Sequence, residues 1–224
     1  MRRRRWAVGI VLLGAAAGCF LLLRPQVAML PHYVPFLRAK QPLLVYRGKL
    51  SKAQKLIVEG ARDQLTWGTV YDASYCHIPY PGGDVNRKKG ACTDVVIRAL
   101  RHAGYDLQVG IHKDISEHWS LYPRYEYNPH PDPNIDQRRV PNQRVFFARF
   151  GKKLSTGVAK PEGWAPGDVI EWRMPHGHDH TGVLSDHLDR EGFPLVIHNV
   201  GDGPQEEDVL RTWTVTGHFR YPKA

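Results

Sequence analysis

Residues 90–104, GACTDVVIRALRHAG, decide how the rest of the chain is read. Val95, Val96, Ala99, Leu100 and Ala103 recur there at helical spacing. Thr93 and Asp94 are residue types that open helices and Gly104 is the type that closes them, so the pattern predicts a helix with Cys92 at its start. Unpaired amide N–H groups and the macrodipole at such a position favour a thiolate over a thiol. A nucleophilic cysteine needs that setting. The plainer alternative is a small buried cysteine that only packs.

Upstream, Ser51 precedes a run, KAQKLIVEGARDQLTW, that puts Ala53, Leu56, Ile57, Ala61 and Leu65 on one face of a second helix. A loop rich in Tyr, Pro and Gly, residues 69–91, joins the two. Downstream, residues 110–141 hold His112, Asp114, Glu117, His118 and Trp119 and then the proline-studded YNPHPDPNIDQRRVPN; they read as a long ordered excursion. Asn142 is expected to cap a short helix carrying Val145, Phe146, Phe147 and Phe150. Strands are expected at residues 169–172, 181–185, 195–200 and 214–221, with a turn at 189–192 making a hairpin of the second and third. Helices followed by an antiparallel sheet give an α+β class.

The N-terminus carries an address. Four arginines precede eighteen uncharged, mostly apolar residues, Trp6 to Leu23, closed by Arg24-Pro25. As a helix this run is about 27 Å long, just enough to cross a bilayer. Basic residues stay cytoplasmic, so the chain beyond Arg24 is expected outside the inner membrane, facing the periplasm. The run reads as an uncleaved anchor over residues 1–24; a signal peptide cut after Ala17 is the alternative. Residues 25–50 form a connector and 51–224 a single domain. The net charge of +9 falls to +4 once the five N-terminal arginines are set aside, with 26 basic against 22 acidic residues. No long basic run remains, which takes away most of the support for nucleic acid as a partner and leaves an anionic polymer open. Cys19 lies in the apolar segment; Cys76 and Cys92 would either pair in an oxidising compartment or stay apart.

A thiolate nucleophile needs a base and something to orient that base. His176, His178 and His180 stand at period two in PHGHDHTGVLSD, and His198 lies in VIHNVG. His180 directly precedes one expected strand and His198 sits inside the next, so hairpin pairing can bring the imidazoles side by side. One would then take the Cys92 proton and the other fix its tautomer.

The pattern G-x-C-T-D with a following helix, then P-G-D-V, H-T-G-V and V-I-H-N, resembles the NlpC/p60 type of papain-like cysteine peptidase. The longer stretches YPGGDVNRKKGACTDVVIRAL, PDPNIDQRRVPN, PGDVIEW and IHNVGDGPQEEDVL resemble the bacterial family known as domain of unknown function 1287, over roughly residues 69–221. The resemblance implies a papain-like α+β fold with helices packed on a small antiparallel sheet. It implies Cys92 as nucleophile, His180 as base and His198 as orienting group. Tyr80, twelve residues before Cys92, resembles the tyrosine that binds the reacting carbonyl in p60 domains. The amides of Cys92 or Thr93 would complete an oxyanion site. Asp84 and Arg87 are candidate substrate contacts, with structural ion pairs as their plainer role. The sequence departs from the p60 pattern in the Thr-Asp after Cys92, in the long interval from His180 to His198 and in the excursion at 110–141.

The expectation is therefore an exported thiol hydrolase of amide bonds, with peptidoglycan stem peptides as substrate and no metal or organic cofactor. Two other classes compete. His176, His178 and His180, with Asp179 and His198 nearby, could hold Zn²⁺ for a metal-dependent hydrolase. A non-catalytic cell-wall binding module would keep the fold without the reaction.

Overall fold

The computed structural model describes residues 44–126 and 129–223. The expected anchor at residues 1–24 and most of the expected connector lie outside the described residues. Among the described residues no helix is long and apolar enough to cross a membrane.

A two-residue strand, Leu44–Val45 (β1), comes first. The expected connector thus contributes its last residues to the folded domain. Ser51 then starts the helix Lys52–Asp63 (α1): its hydroxyl accepts from the Gln54 amide at 3.2 Å, and the Gln54 side chain accepts from the Ser51 amide at 3.1 Å. Each of these bonds satisfies an amide that the helix start leaves without a partner. Val70–Tyr71 (β2) and Lys89–Gly90 (β3) form a small parallel pair that leads the chain to the helix Cys92–His102 (α2). The Asp94 carboxylate accepts from the Ala91 amide at 2.6 Å, and Gly104, at φ +91°, turns the chain out of the helix.

The expected stripe on α2 is only part of its surface. Every residue from Cys92 to Leu100 is buried, Asp94 and Arg98 included, so the helix runs through the core. Arg98 bonds Asp84 at 2.8 Å and the carbonyls of Val85 and Lys89 at 3.1 Å, which ties down the preceding loop.

The stretch expected as an excursion is not all loop. The helix Leu107–Glu117 (α3) runs into it, and its N-terminal amides at Gln108 and Val109 donate to Asp106. The helical period there is interrupted by Gly110, His112 and Lys113, which hid it. The helix Val140–Phe150 (α4) starts earlier than expected, with Pro141 in its first turn. Asn142 is inside it, and its side chain donates to the Asp136 carbonyl at 3.0 Å rather than capping.

The sheet contains Lys152–Lys153 (β4), Val169–Arg173 (β5), Asp179–Leu188 (β6), Pro194–Asn199 (β7), Pro204–Glu207 (β8) and Thr214–Arg220 (β9). Its order is β4-β9-β5-β6-β7-β8, with β1 added along β6 and all pairings antiparallel. Strand β8 has no apolar alternation and went unread. The 189–192 turn is as expected, with the Asp189 amide bonded to Phe193 O at 2.8 Å. The described residues are mixed α and β, with four α-helices and an antiparallel sheet, which is the α+β class.

Alternation along the strands separates two cores. Val169, Val183, Ile197 and Phe219 face the helices and pack with Val95, Val96, Leu100, Ile111 and Phe147. Ile170, Trp172, Leu184 and Val196 face the other way and pack with Trp164, Phe193 and Leu210. On the helix side, Arg62 of α1 bonds Ser185 Oγ at 2.9 Å, Asp186, and Glu206 at 3.1 Å, pinning that helix to β6 and β8.

Candidate active site

Cys92 is the first residue of α2 and is 6% exposed. Its thiol is pushed up to about 12 by burial, against the pull of hydrogen bonds from the backbone amides of Thr181, Thr93 and Cys92 itself. The helix start does favour the thiolate, as expected, but desolvation of a buried sulfur outweighs it. The resting group is therefore a thiol.

The Thr181 contact locates the sulfur. Leu184 N donates to Asp168 O across the β5 side, so the even-numbered amides of β6 point to β5 and the odd-numbered ones to β7. The register of β6 with β7 runs through Leu184↔Val196 and Val183↔Ile197 and goes no further toward Thr181. Where the strands part, the Thr181 amide goes to Cys92. Asn199 Nδ2 donates to Gly90 O at 2.8 Å and holds the start of α2 against the end of β7.

His180 and His198 lie on the face turned away from the helices. His180 Nε2 lies 2.9 Å from His198 Nδ1, and His198 Nε2 lies 3.0 Å from Glu207 Oε2. Trp172, opposite His180 on β5, stacks on its ring at 5.6 Å, and Trp213 meets both imidazoles edge-on. His180 is 3% exposed. Burial, then the neighbouring His198, lowers its pKa to about 3, so the ring is neutral at pH 7. His198 engages Nε2, so Nδ1 is the ring nitrogen outside that contact.

Gly182 makes room for this arrangement. A Cβ there would lie 2.8 Å from Val196 Cγ1 and 3.0 Å from His198 Cβ.

The remaining expected residues lie elsewhere. Tyr80 is exposed and packs edge-on against His112 of α3 at 5.1 Å. Tyr71 is the tyrosine beside the thiol: partial burial raises its pKa, and Cys92 and Asp94 add to the shift. Asp84 is committed to Arg98, although it also lines a cavity of about 190 Å³ with Asp72, Cys76, Lys89 and Arg138. Arg87 lies over the Trp67 ring at 3.8 Å and 3.9 Å from Asp63. Both read as structural pairs. Cys76 and Cys92 are unpaired.

His176 and His178 are exposed in the turn before β6, with His176 at φ +64°, while His180 is buried. The three imidazoles therefore do not converge, and among the described residues no group of three His, Cys, Asp or Glu side chains could hold a metal ion.

Two features were missed. Glu207 extends the histidine pair, and its only signal is its two-residue offset from the position opposite His198 on β8. Arg138, from the PDPNIDQRRVPN stretch, bonds Asp94 at 2.9 Å and the carbonyls of Ser74 and Asp72 at 2.7 and 2.9 Å. The excursion thus braces the start of α2 and the loop that forms the cavity wall.

A family profile described as "Domain of unknown function (DUF1287)" matches residues 58–221, from within α1 to the end of the sheet. The chain belongs to the DUF1287 family. All of Cys92, His180, His198 and Glu207 fall inside the matched region. A relative, the "Uncharacterized protein YijF" of Escherichia coli (strain K12), is 47% identical over 165 residues, covering 74% of this chain and 80% of that protein.

Proposed function

We propose that this DUF1287 domain is a papain-like thiol hydrolase of the NlpC/p60 type, cleaving an amide bond in peptidoglycan stem peptides. The observation that carries the reading is the hydrogen-bonded His180–His198 pair, whose first member adjoins Thr181, the residue whose amide bonds the Cys92 sulfur. Cys92 sulfur attacks the carbonyl carbon as its proton passes to His180 Nδ1. The amides of Cys92 and Thr93 at the helix start take the developing oxyanion. The tetrahedral species collapses, the amine leaves with the proton from His180, and a thioester remains. Water, deprotonated by His180, then hydrolyses the thioester to a carboxylic acid and the free thiol.

Both reacting groups rest in neutral form, which protects a buried thiol until substrate changes its surroundings. The cavity bordered by Lys89 and Arg138 adjoins the start of α2 and is the approach for a peptide. The reaction needs no metal or organic cofactor, and nucleic acid is not a partner. Residues 6–23 hold the domain on the periplasmic side of the bacterial inner membrane, or direct its release there after signal cleavage.

Digestion of purified peptidoglycan by the full-length protein and by Cys92→Ala, with products identified by mass, tests this. New stem-peptide fragments with wild type alone are expected. Equal products from both, or none from either, would overturn the reading.

A further inference from the structure

We infer that Glu207 sets the direction of the hydrogen-bond chain through His198 to His180, and so decides which nitrogen of His180 carries its proton. The observations are two contacts in series, Glu207 Oε2 to His198 Nε2 at 3.0 Å and His198 Nδ1 to His180 Nε2 at 2.9 Å. A neutral imidazole has one donor nitrogen and one acceptor, whereas an ionised carboxylate only accepts. Glu207 therefore requires the proton of His198 on Nε2. His198 Nδ1 is then a lone pair and must accept, which places the proton of His180 on Nε2. His180 Nδ1 is left as the lone pair. Without an acceptor-only group at the end, the chain can run the other way, and His180 Nδ1 would carry a hydrogen and could not act as a base.

The sheet builds this geometry. His198 is opposite Gln205, and Glu207 stands two residues further along β8 on the same face. Its neighbour Glu206 faces the helices and is occupied by Arg62 and His187. The two adjacent carboxylates cannot exchange roles. Glu207 is a positioning residue, since it acts on the reacting atoms only through His198. Its effect on catalysis rests on the thiol-hydrolase reading; the bonding pattern does not.

The test is nitrogen-15 NMR of the histidine rings in the full-length protein at pH 7, for wild type, Glu207→Gln and Glu207→Asp. In wild type His180 and His198 are each expected as the single tautomer with the proton on Nε2. Gln both donates and accepts, so Glu207→Gln is expected to give a mixture of tautomers at both rings, and Glu207→Asp to restore one. His180 protonated on Nδ1 in wild type, His198 protonated on both nitrogens, or unchanged tautomers in Glu207→Gln would each overturn the inference. A shift in thermal midpoint without a tautomer change is the mark of a merely structural role and overturns it too. In the peptidoglycan assay, kcat is expected to fall roughly tenfold to a hundredfold in Glu207→Gln with KM little changed. A wild type without activity would sink the hydrolase reading and leave the NMR result to judge Glu207.

Discussion

Ile197 and His198 are neighbours on β7, both fully buried, and they point to opposite faces of the sheet. Ile197 packs among Val96, Val183 and the helices, where what counts is volume and apolar area. His198 sits between His180 and Glu207 under Trp213, where what counts is which atom donates. Glu206 and Glu207 repeat the contrast on β8: the first is part of an ion network with Arg62, the second ends a chain of imidazoles. A sheet alternating in this way can hold apolar packing on one face and a directed hydrogen-bond chain on the other within single residue steps.

The sharpest way to break that division is to substitute each neighbour. His198→Ala is expected to lower peptidoglycan-cleaving activity by at least about 10²-fold. Ile197→Ala is expected to destabilise by about 2–5 kcal/mol in chemical denaturation while the folded fraction keeps its activity. Equal loss of activity per folded molecule in both would erase the distinction.

The faces also carry opposite titrations. His180, on the face away from the helices, has its pKa lowered to about 3 by burial. Protonation is then favoured in the unfolded chain, and its contribution to stability falls as pH drops below about 6.5. Glu171, on the helix face, is pushed up to about 8 by burial, although Arg144 bonds it at 2.6 Å; its Oε1 has no partner among the described residues. The folded state holds that proton, so its contribution falls as pH rises from about 4.5 to 8. Between about pH 4.5 and 6.5 the two slopes oppose each other. From pH 6.5 to 8 only Glu171 remains, and stability from these groups should drop by about 2 kcal/mol. Urea unfolding across this range should show the drop in wild type and lose it in Glu171→Gln, whose stability should instead rise with pH below about 6.5. A drop that survives in Glu171→Gln would refute the assignment.

Gly182 joins the two faces, since its missing side chain lets β6 and β7 close beside His198. Gly182→Ala is expected to destabilise by about 1–3 kcal/mol, because its Cβ would meet Val196 and the Ile197 carbonyl. It should also disturb the His180–His198 bond, which histidine NMR reads directly. The smallest effects separate two tyrosines. Tyr80→Phe should stay within about 0.5 kcal/mol of wild type in stability and leave activity unchanged. Tyr71→Phe should lower activity severalfold. The reverse ranking would return Tyr80 to the role its spacing suggested.

Much of this was legible in the chain. Helical spacing at Val95 to Ala103, the Ser51 cap, the hairpin at 189–192 and the strands holding His180 and His198 follow from local periodicity and turn chemistry. The helix at Leu107–Glu117 did not, because glycine and charged residues break its apolar period and it packs against residues 136–138, α2 and α4 only in the tertiary structure. Tyr80 resembles the p60 tyrosine in its place ahead of Cys92, yet its loop is held to α3, where Pro79 O accepts from Gln108 at 3.1 Å.

Sequence by itself determined the α+β class, the order of most helices before the sheet, membership of one family, and the two histidines that meet across β6 and β7. Those depend on short-range preferences and on side-chain chemistry that travels with the residue. Only the tertiary structure decided the protonation of Cys92 and His180, the partner at the end of the imidazole chain, and the use of Arg138 as a brace. Each of these is set by how much water a group loses and which distant atom replaces it, and neither quantity exists until the strands and helices have come together.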